Sequence, residues 1–259
     1  AMYGIEPRMI ARAMSSRPLW ALGYLDRALA RARETLAIAR TQREPPTLIF
    51  AVMVLQGVLA YRGDAAEAVT VGDENIALCR EHGLPQEAEW SRSFQGAALI
   101  TLGRVDEGID LLKDSLSVQE GLKTHLARPM FLALLAQGLL QASRVDEGLR
   151  AIDEGLMWAE RTAEGGYVAE LYRVRGELLR LGGNDAAAEA SLRQALEYAA
   201  GQHAKSFELR AVMGLARLLM ASGRAPEACS VLRPVYEWFT EGLETRGIVA
   251  ARTLLSGIG

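Results

Sequence analysis

The chain has 259 residues, 50% of them apolar and 24% charged, with a formal net charge of -3 and two cysteines, Cys79 and Cys229. So much apolar surface excludes disorder, and the acidic balance lacks the basic footprint that nucleic acid or an anionic membrane needs, so neither is expected as a partner. Two isolated thiols exclude a disulfide framework and suit a cytoplasmic location.

From the N-terminus onward, apolar residues recur every three or four positions, the period of a helix rather than of a strand. First helices are predicted at 7–22, 46–62, 86–102, 125–142, 166–182 and 204–222, each followed after a short turn by a partner helix. The longest apolar run, LIFAVMVLQGVLAY at 48–61, is shorter than the roughly 18 to 20 residues of a membrane span and is broken by Gln56 and Gly57, so it reads as a buried helix. Breakers mark the linkers, in EPP at 44–46, HGLP at 82–85 and EGG at 164–166. A last amphipathic segment at 244–257 is expected to cap the array. Residues 1–6 offer no matching cap and no signal-peptide pattern, from which a longer multidomain chain continuing upstream is expected.

RVDEG at 104–108 returns at 144–148, and the 40-residue step holds along the whole chain. Gly23, Gly63, Gly103, Ser143, Gly183 and Gly223 fall in one column, a helix stop in which glycine enters the left-handed conformation without steric cost. Five residues later come Ala28, Ala68, Gly108, Gly148, Ala188 and Ala228, small enough for two helices to approach closely. Leu19, Leu59, Leu99, Leu139, Leu179 and Leu219 precede each stop, and Leu36, Ile76, Leu116, Leu156, Leu196 and Tyr236 follow it. Acidic residues at Asp26, Asp64, Asp106, Glu107, Asp146, Glu147, Asp185 and Glu227 are expected as N-caps or first-turn acids of the second helices. The pattern predicts an all-α superhelical solenoid of about six antiparallel hairpins, one domain over 1–259 with units near 7–43, 44–83, 84–123, 124–163, 164–203 and 204–243.

Small residues after a turn glycine, leucine in the first helix and a bulky apolar residue late in the second resemble the tetratricopeptide layout. The nominal period there is about 34 residues, so the chain resembles an extended variety. More narrowly, LWALGYLDRALARARE, ELYRVRGELL, LRQALEYA, AKSFELRAVMGLARLL and PVYEWFTEG resemble the C-terminal helical region of bacterial predicted ATPases, including adenylate cyclase-type signal-transduction proteins. That resemblance implies a regulatory or partner-docking arm. It carries over neither cyclase nor ATPase activity, because nothing in this sequence corresponds to those modules.

Motifs for chemistry are missing: there is no GxxxxGK[ST] phosphate loop, and Gly165-Gly166 and Gly182-Gly183 read as turns. His82, His125 and His203 lie in different units, and Cys79 with His82 supplies two possible ligands where zinc normally takes four. No catalytic residue, cofactor or metal is therefore expected. Trp20, Trp90, Trp158 and Trp238 are unevenly spread over the units and fit the core as well as a site.

In tetratricopeptide arrays the first helices line a concave groove, and projecting that layout gives three rows. They are Ile10, Phe50, Trp90, Met130, Glu170 and Arg210; Ala13, Met53, Ser93, Ala133, Arg173 and Met213; and Arg17, Gly57, Ala97, Gln137, Glu177 and Arg217. The rows vary while the packing columns stay constant. The expected partner-binding residues are Phe50, Met53, Trp90, Met130, Glu170, Arg173, Glu177, Arg210 and Arg217, apolar in the N-terminal half and charged in the C-terminal half. Glu170, Arg173, Glu177 and Arg180 also fit a solvated helix face braced by pairs three or four apart. The function expected is a non-catalytic scaffold for a protein or peptide, the alternative being a sensor that binds a small-molecule effector in the groove.

Overall fold

The computed structural model describes residues 7–42 and 44–258, and among them every regular element is a helix. The predicted uncapped segment at 1–6 lies outside the described residues. In order, the helices are α1 (Pro7–Met14), α2 (Ser16–Ala21), α3 (Leu25–Gln42), α4 (Pro45–Arg62), α5 (Ala65–His82), α6 (Pro85–Thr101) and α7 (Val105–Gly121). There follow α8 (Arg128–Gln141), α9 (Val145–Thr162), a 3-10 turn at Gly165–Tyr167, α10 (Val168–Leu181), α11 (Asp185–Gly201), α12 (Lys205–Ala221), α13 (Ala225–Glu237) and α14 (Arg246–Ser256). The described residues form six antiparallel hairpins with a terminal helix, in two compact units: residues up to 20 with 24–125, and 126–258 with the short turn 21–23.

The hairpin turns follow the column of stops. Gly23, Gly63, Gly103, Ser143, Gly183 and Gly223 all have φ between 57° and 94°. At each turn the leucine four residues earlier accepts a backbone bond that closes the helix end: Leu19 from Tyr24, Leu59 from Asp64, Leu99 from Arg104, Leu139 from Arg144, Leu179 from Asn184 and Leu219 from Arg224, at 2.8 to 3.0 Å. The linkers between hairpins close in the same way, with Gly83, Lys123, Ala163 and His203 at φ 54° to 66°. Three of these four are not glycine, and each pays roughly 1–2 kcal/mol for the left-handed conformation. Backbone bonds across the helix end accompany it, from Thr124 to Gln119, Glu164 to Ala159 and Ala204 to Ala199, at 2.8 to 3.0 Å.

One expectation needs correction. The first helix is broken at Ser15, because Pro18 lacks the N–H that would bond to Met14 and its ring crowds that carbonyl. Of the two roles expected for the turn acids, Asp26, Asp106, Glu107, Asp146, Glu147, Asp185 and Glu227 take the second and stand in first turns. Asp64 occupies an N-cap position but receives the Arg62 Nε–H at 2.8 Å, and the N-cap residues before α7, α9 and α13 are arginines. In each of those three the arginine grips the glutamate three residues on: Arg104 to Glu107, Arg144 to Glu147 and Arg224 to Glu227, all at 2.6 to 2.9 Å. Asn184 does cap, accepting from the Ala187 N–H at 3.1 Å.

Close approach explains the small-residue column. Ala28, Ala68, Ala188 and Ala228 have no exposed surface. A Cβ on Gly108 would lie 2.5 Å from the Gly96 carbonyl oxygen, and one on Gly148 would lie 2.8 Å from Leu178. Facing positions exchange bulk between hairpins. Where Gly96 meets Leu112 and Gly176 meets Leu192, the second hairpin has the reverse arrangement, Gln56 against Gly72. A Cβ on Gly72 would sit 2.4 Å from Gln56 Nε2, so the larger side chain has moved from the second helix to the first while the gap stays filled. The apolar α4 has the length and composition of a membrane span, yet Ala51 to Leu59 are all buried within the first unit and serve as its core.

Candidate functional site

The first helices carry the variable rows, and each unit gives them its own chemistry. In the first unit, Phe50 on α4 and Trp90 on α6 are half-buried at equivalent repeat positions, and Met53 is 5% exposed. Tyr61 stands edge-on to Phe94, whose ring fills the space that Gly57 leaves open. The Trp90 indole N–H is buried and meets no acceptor.

Beneath this face lie neutral polar groups that the periodicity alone did not reveal. Ser93 Oγ and Ser115 Oγ are 2.8 Å apart, both donate to the Glu89 carbonyl at 3.0 and 2.6 Å, and Gln119 Nε2 donates to both hydroxyls. Alongside, Gln56 donates to the Ser91 carbonyl at 2.9 Å and Asn75 to Ser91 Oγ at 2.7 Å. The available signal was a set of polar residues, Asn75, Ser91 and Ser93, at positions that are apolar or small in most other repeats.

In the second unit, Met130 is 2% exposed and Arg217 is exposed with no ion pair among the described residues. Between them runs an ionic network. Arg173 donates to both carboxylate oxygens of Glu170 at 2.8 and 2.7 Å, to Glu177 at 2.8 Å and to the Gln137 amide oxygen. Arg210 reaches Glu170 at 2.7 Å. Glu170 and Arg173 are 5% and 4% exposed, so the solvated face considered from sequence is a buried network instead. Burial pushes the Glu170 carboxyl up, but the charges of Arg173 and Arg210 outweigh it and hold the group below its ordinary value. Burial likewise opposes the charge on Arg173, and Glu170 and Glu177 more than restore it. Glu170, Arg173, Glu177, Arg210 and Gln137 are thus brought together, whereas Met53 and Met130 lie in the interior. Such a network holds fixed charges in place.

Elsewhere the Cys79 thiol is pushed up to about 12 by burial and, secondarily, by Glu87. No group of three or more metal-ligating side chains occurs among the described residues.

No protein-family model and no curated protein matches the chain. Solved structures do. A Rap protein complexed with Competence and Sporulation Factor aligns with a TM-score of 0.71 and 13% identity over 92% of this chain and 67% of that one. NprR in complex with its cognate peptide NprX aligns at 0.69 and 12% identity over 98% and 73%. BtubC from P. vanneervenii aligns at 0.58 and 18% identity over 88% and 92%. At these identities the likeness establishes the fold, a tetratricopeptide-like helical repeat.

Proposed function

We propose that the chain is a non-catalytic docking scaffold that takes a peptide segment or a partner helix on the first-helix face. The observation that carries this reading is Trp90, whose ring is half-buried in line with Phe50 and whose indole N–H lacks an acceptor. A buried donor left unsatisfied costs about 1–3 kcal/mol, and a carbonyl of a bound chain would supply the missing partner after a small shift of the ring. Aromatic anchors of this kind carry a disproportionate share of binding energy at protein interfaces. The second unit, taken by itself, presents the exposed Arg217 and the half-buried Arg210, which favour acidic groups on whatever docks there. The cognate peptide named with the NprR structure adds support from the fold. The resemblance to the helical region of predicted ATPases supports a finer reading, in which the scaffold is the partner-docking arm of a signalling protein with an ATPase or cyclase-like module. We place it in the cytoplasm, in keeping with its free thiols.

The test is selection of peptides from a displayed random library on the full chain, followed by solution affinities for the best binder. Trp90→Ala with unchanged circular dichroism is expected to weaken binding by roughly tenfold or more. Unchanged affinity in both Trp90→Ala and Phe50→Ala, with the fold intact, would contradict docking on this face.

A further inference from the structure

On the first unit, a cleft of about 510 Å3 opens between α5 and α6, walled by Ile76, Leu84, Pro85 and Ala88. It arises where the third hairpin departs from the repeat. At the position of Ala88 the second, fourth, fifth and sixth hairpins carry Leu48, Arg128, Val168 and Glu208, all larger. Glu89 and Arg92, which also line the cleft, stand where those hairpins have Ile49 and Val52, Pro129 and Leu132, Ala169 and Tyr172, and Leu209 and Val212. One hairpin has therefore lost bulk and gained a charge pair at the same place.

The pair is incompletely used. Glu89 is 8% exposed, and both its oxygens share a single nitrogen, Arg92 Nη1, at 3.1 and 3.0 Å. Its carboxylate keeps free lone pairs, and the Arg92 fork keeps free N–H groups. At the rim, Arg80 makes no ion pair among the described residues. Buried charges repay their desolvation only when their remaining hydrogen-bonding capacity is filled. A ligand that fills both halves must carry a cation and an anion close together, with an apolar body for the walls.

We propose that this cleft binds a zwitterionic small molecule, an α-amino acid with an apolar side chain. Its ammonium donates to Glu89, its carboxylate accepts from Arg92 with Arg80 alongside, and its side chain lies against Ile76, Leu84, Pro85 and Ala88. The volume falls within the range of about 300–1,000 Å3 usual for small-molecule sites. Cys79 also lines the cleft, but as a protonated, buried thiol it forms part of the wall and takes no covalent part. The cleft shares α6 with Trp90 but includes neither Trp90 nor Phe50 in its lining, and the proposal does not rest on peptide docking.

Calorimetric titration of the full chain with L-phenylalanine and L-leucine tests the assignment, with N-acetyl-phenylalanine and phenylalanine amide as controls lacking one charge each. At least one amino acid is expected to bind, and each control to bind about tenfold or more weakly than phenylalanine, the loss that follows from one charged hydrogen bond. Ala88→Leu restores the bulk that Leu48 supplies one hairpin earlier and should abolish the binding heat. Arg92→Gln should weaken binding to the same extent as removing the ligand carboxylate, which decides the matter even where Ala88→Leu perturbs the fold. No heat from either amino acid, equal affinity for the N-acetyl compound, or binding untouched by Arg92→Gln would overturn the proposal.

Discussion

The third hairpin, α6 with α7, and the fifth, α10 with α11, hold polar groups at the same repeat position by different physics. Ser93 sits in a neutral ladder with Ser115, Gln119 and the Glu89 carbonyl. Two periods on, Arg173 sits among two carboxylates and an amide. Yet the helices around them pack by the same rule, Gly96 against Leu112 and Gly176 against Leu192, with a Cβ on either glycine falling 2.9 and 2.6 Å from the facing leucine. The frame is therefore set by columns of small and large apolar groups, and the polar position is an insert that the frame tolerates in either form.

The comparison breaks most sharply at the ionic insert. Glu170→Ala leaves Arg173 buried with half its charge compensation gone, and the urea midpoint should register a loss of about 3–5 kcal/mol. This loss should depend on pH. Because the folded state holds the Glu170 carboxyl below its ordinary value, its contribution is complete above the unfolded value of roughly 4.3 and disappears as pH falls through the lower folded value. The gap between wild type and Glu170→Ala should accordingly narrow in acid. A smaller effect is expected at the packing columns. Gly96→Gln alone should cost about 1–3 kcal/mol by overpacking against Leu112. Adding Leu112→Gly reproduces the arrangement of Gln56 and Gly72 and should recover part of that loss, visible as a coupling energy in a double-mutant cycle. Smaller again, Ser93→Ala should cost about 1 kcal/mol, because Ser115 keeps its own 2.6 Å bond to the Glu89 carbonyl. The smallest effect should come from Arg104→Ala, whose partner Glu107 is as exposed as Arg104 itself, and thermal melting should register at most about 1 kcal/mol.

How much was legible in the sequence follows from the same distinction. The stops at Gly23, Gly63, Gly103, Ser143, Gly183 and Gly223 and the small-residue column were readable because one backbone conformation and one close approach each restrict the residue type severely. The second series of left-handed positions was hidden, since Lys123, Ala163 and His203 carry no such signature. The break at Ser15 was implicit in Pro18. For the candidate site, periodicity placed Glu170, Arg173 and Glu177 on one side of α10 but gave no depth: a row of alternating charges reads alike whether water or Gln137 and Arg210 complete it. The cleft beside Ala88 escaped notice for another reason. Its signal lies in comparing Glu89 and Arg92 with their counterparts down each column, not in any local motif.

The central claim, that one packing plan carries interchangeable faces, is tested most directly by giving the fifth hairpin the face of the fourth through Glu170→Met, Arg173→Ala and Glu177→Gln together, which copies Met130, Ala133 and Gln137. Replacing the buried members of an ionic cluster together is close to neutral or stabilising, unlike removing one of them, and the Arg210 left behind is partly exposed and can turn to water. The triple variant should keep wild-type helical circular dichroism and unfold in urea within about 1 kcal/mol of the parent, while Glu170→Ala alone falls well below it. A triple variant that loses helicity, or that is as unstable as the single one, would contradict the claim and make the ions part of the frame.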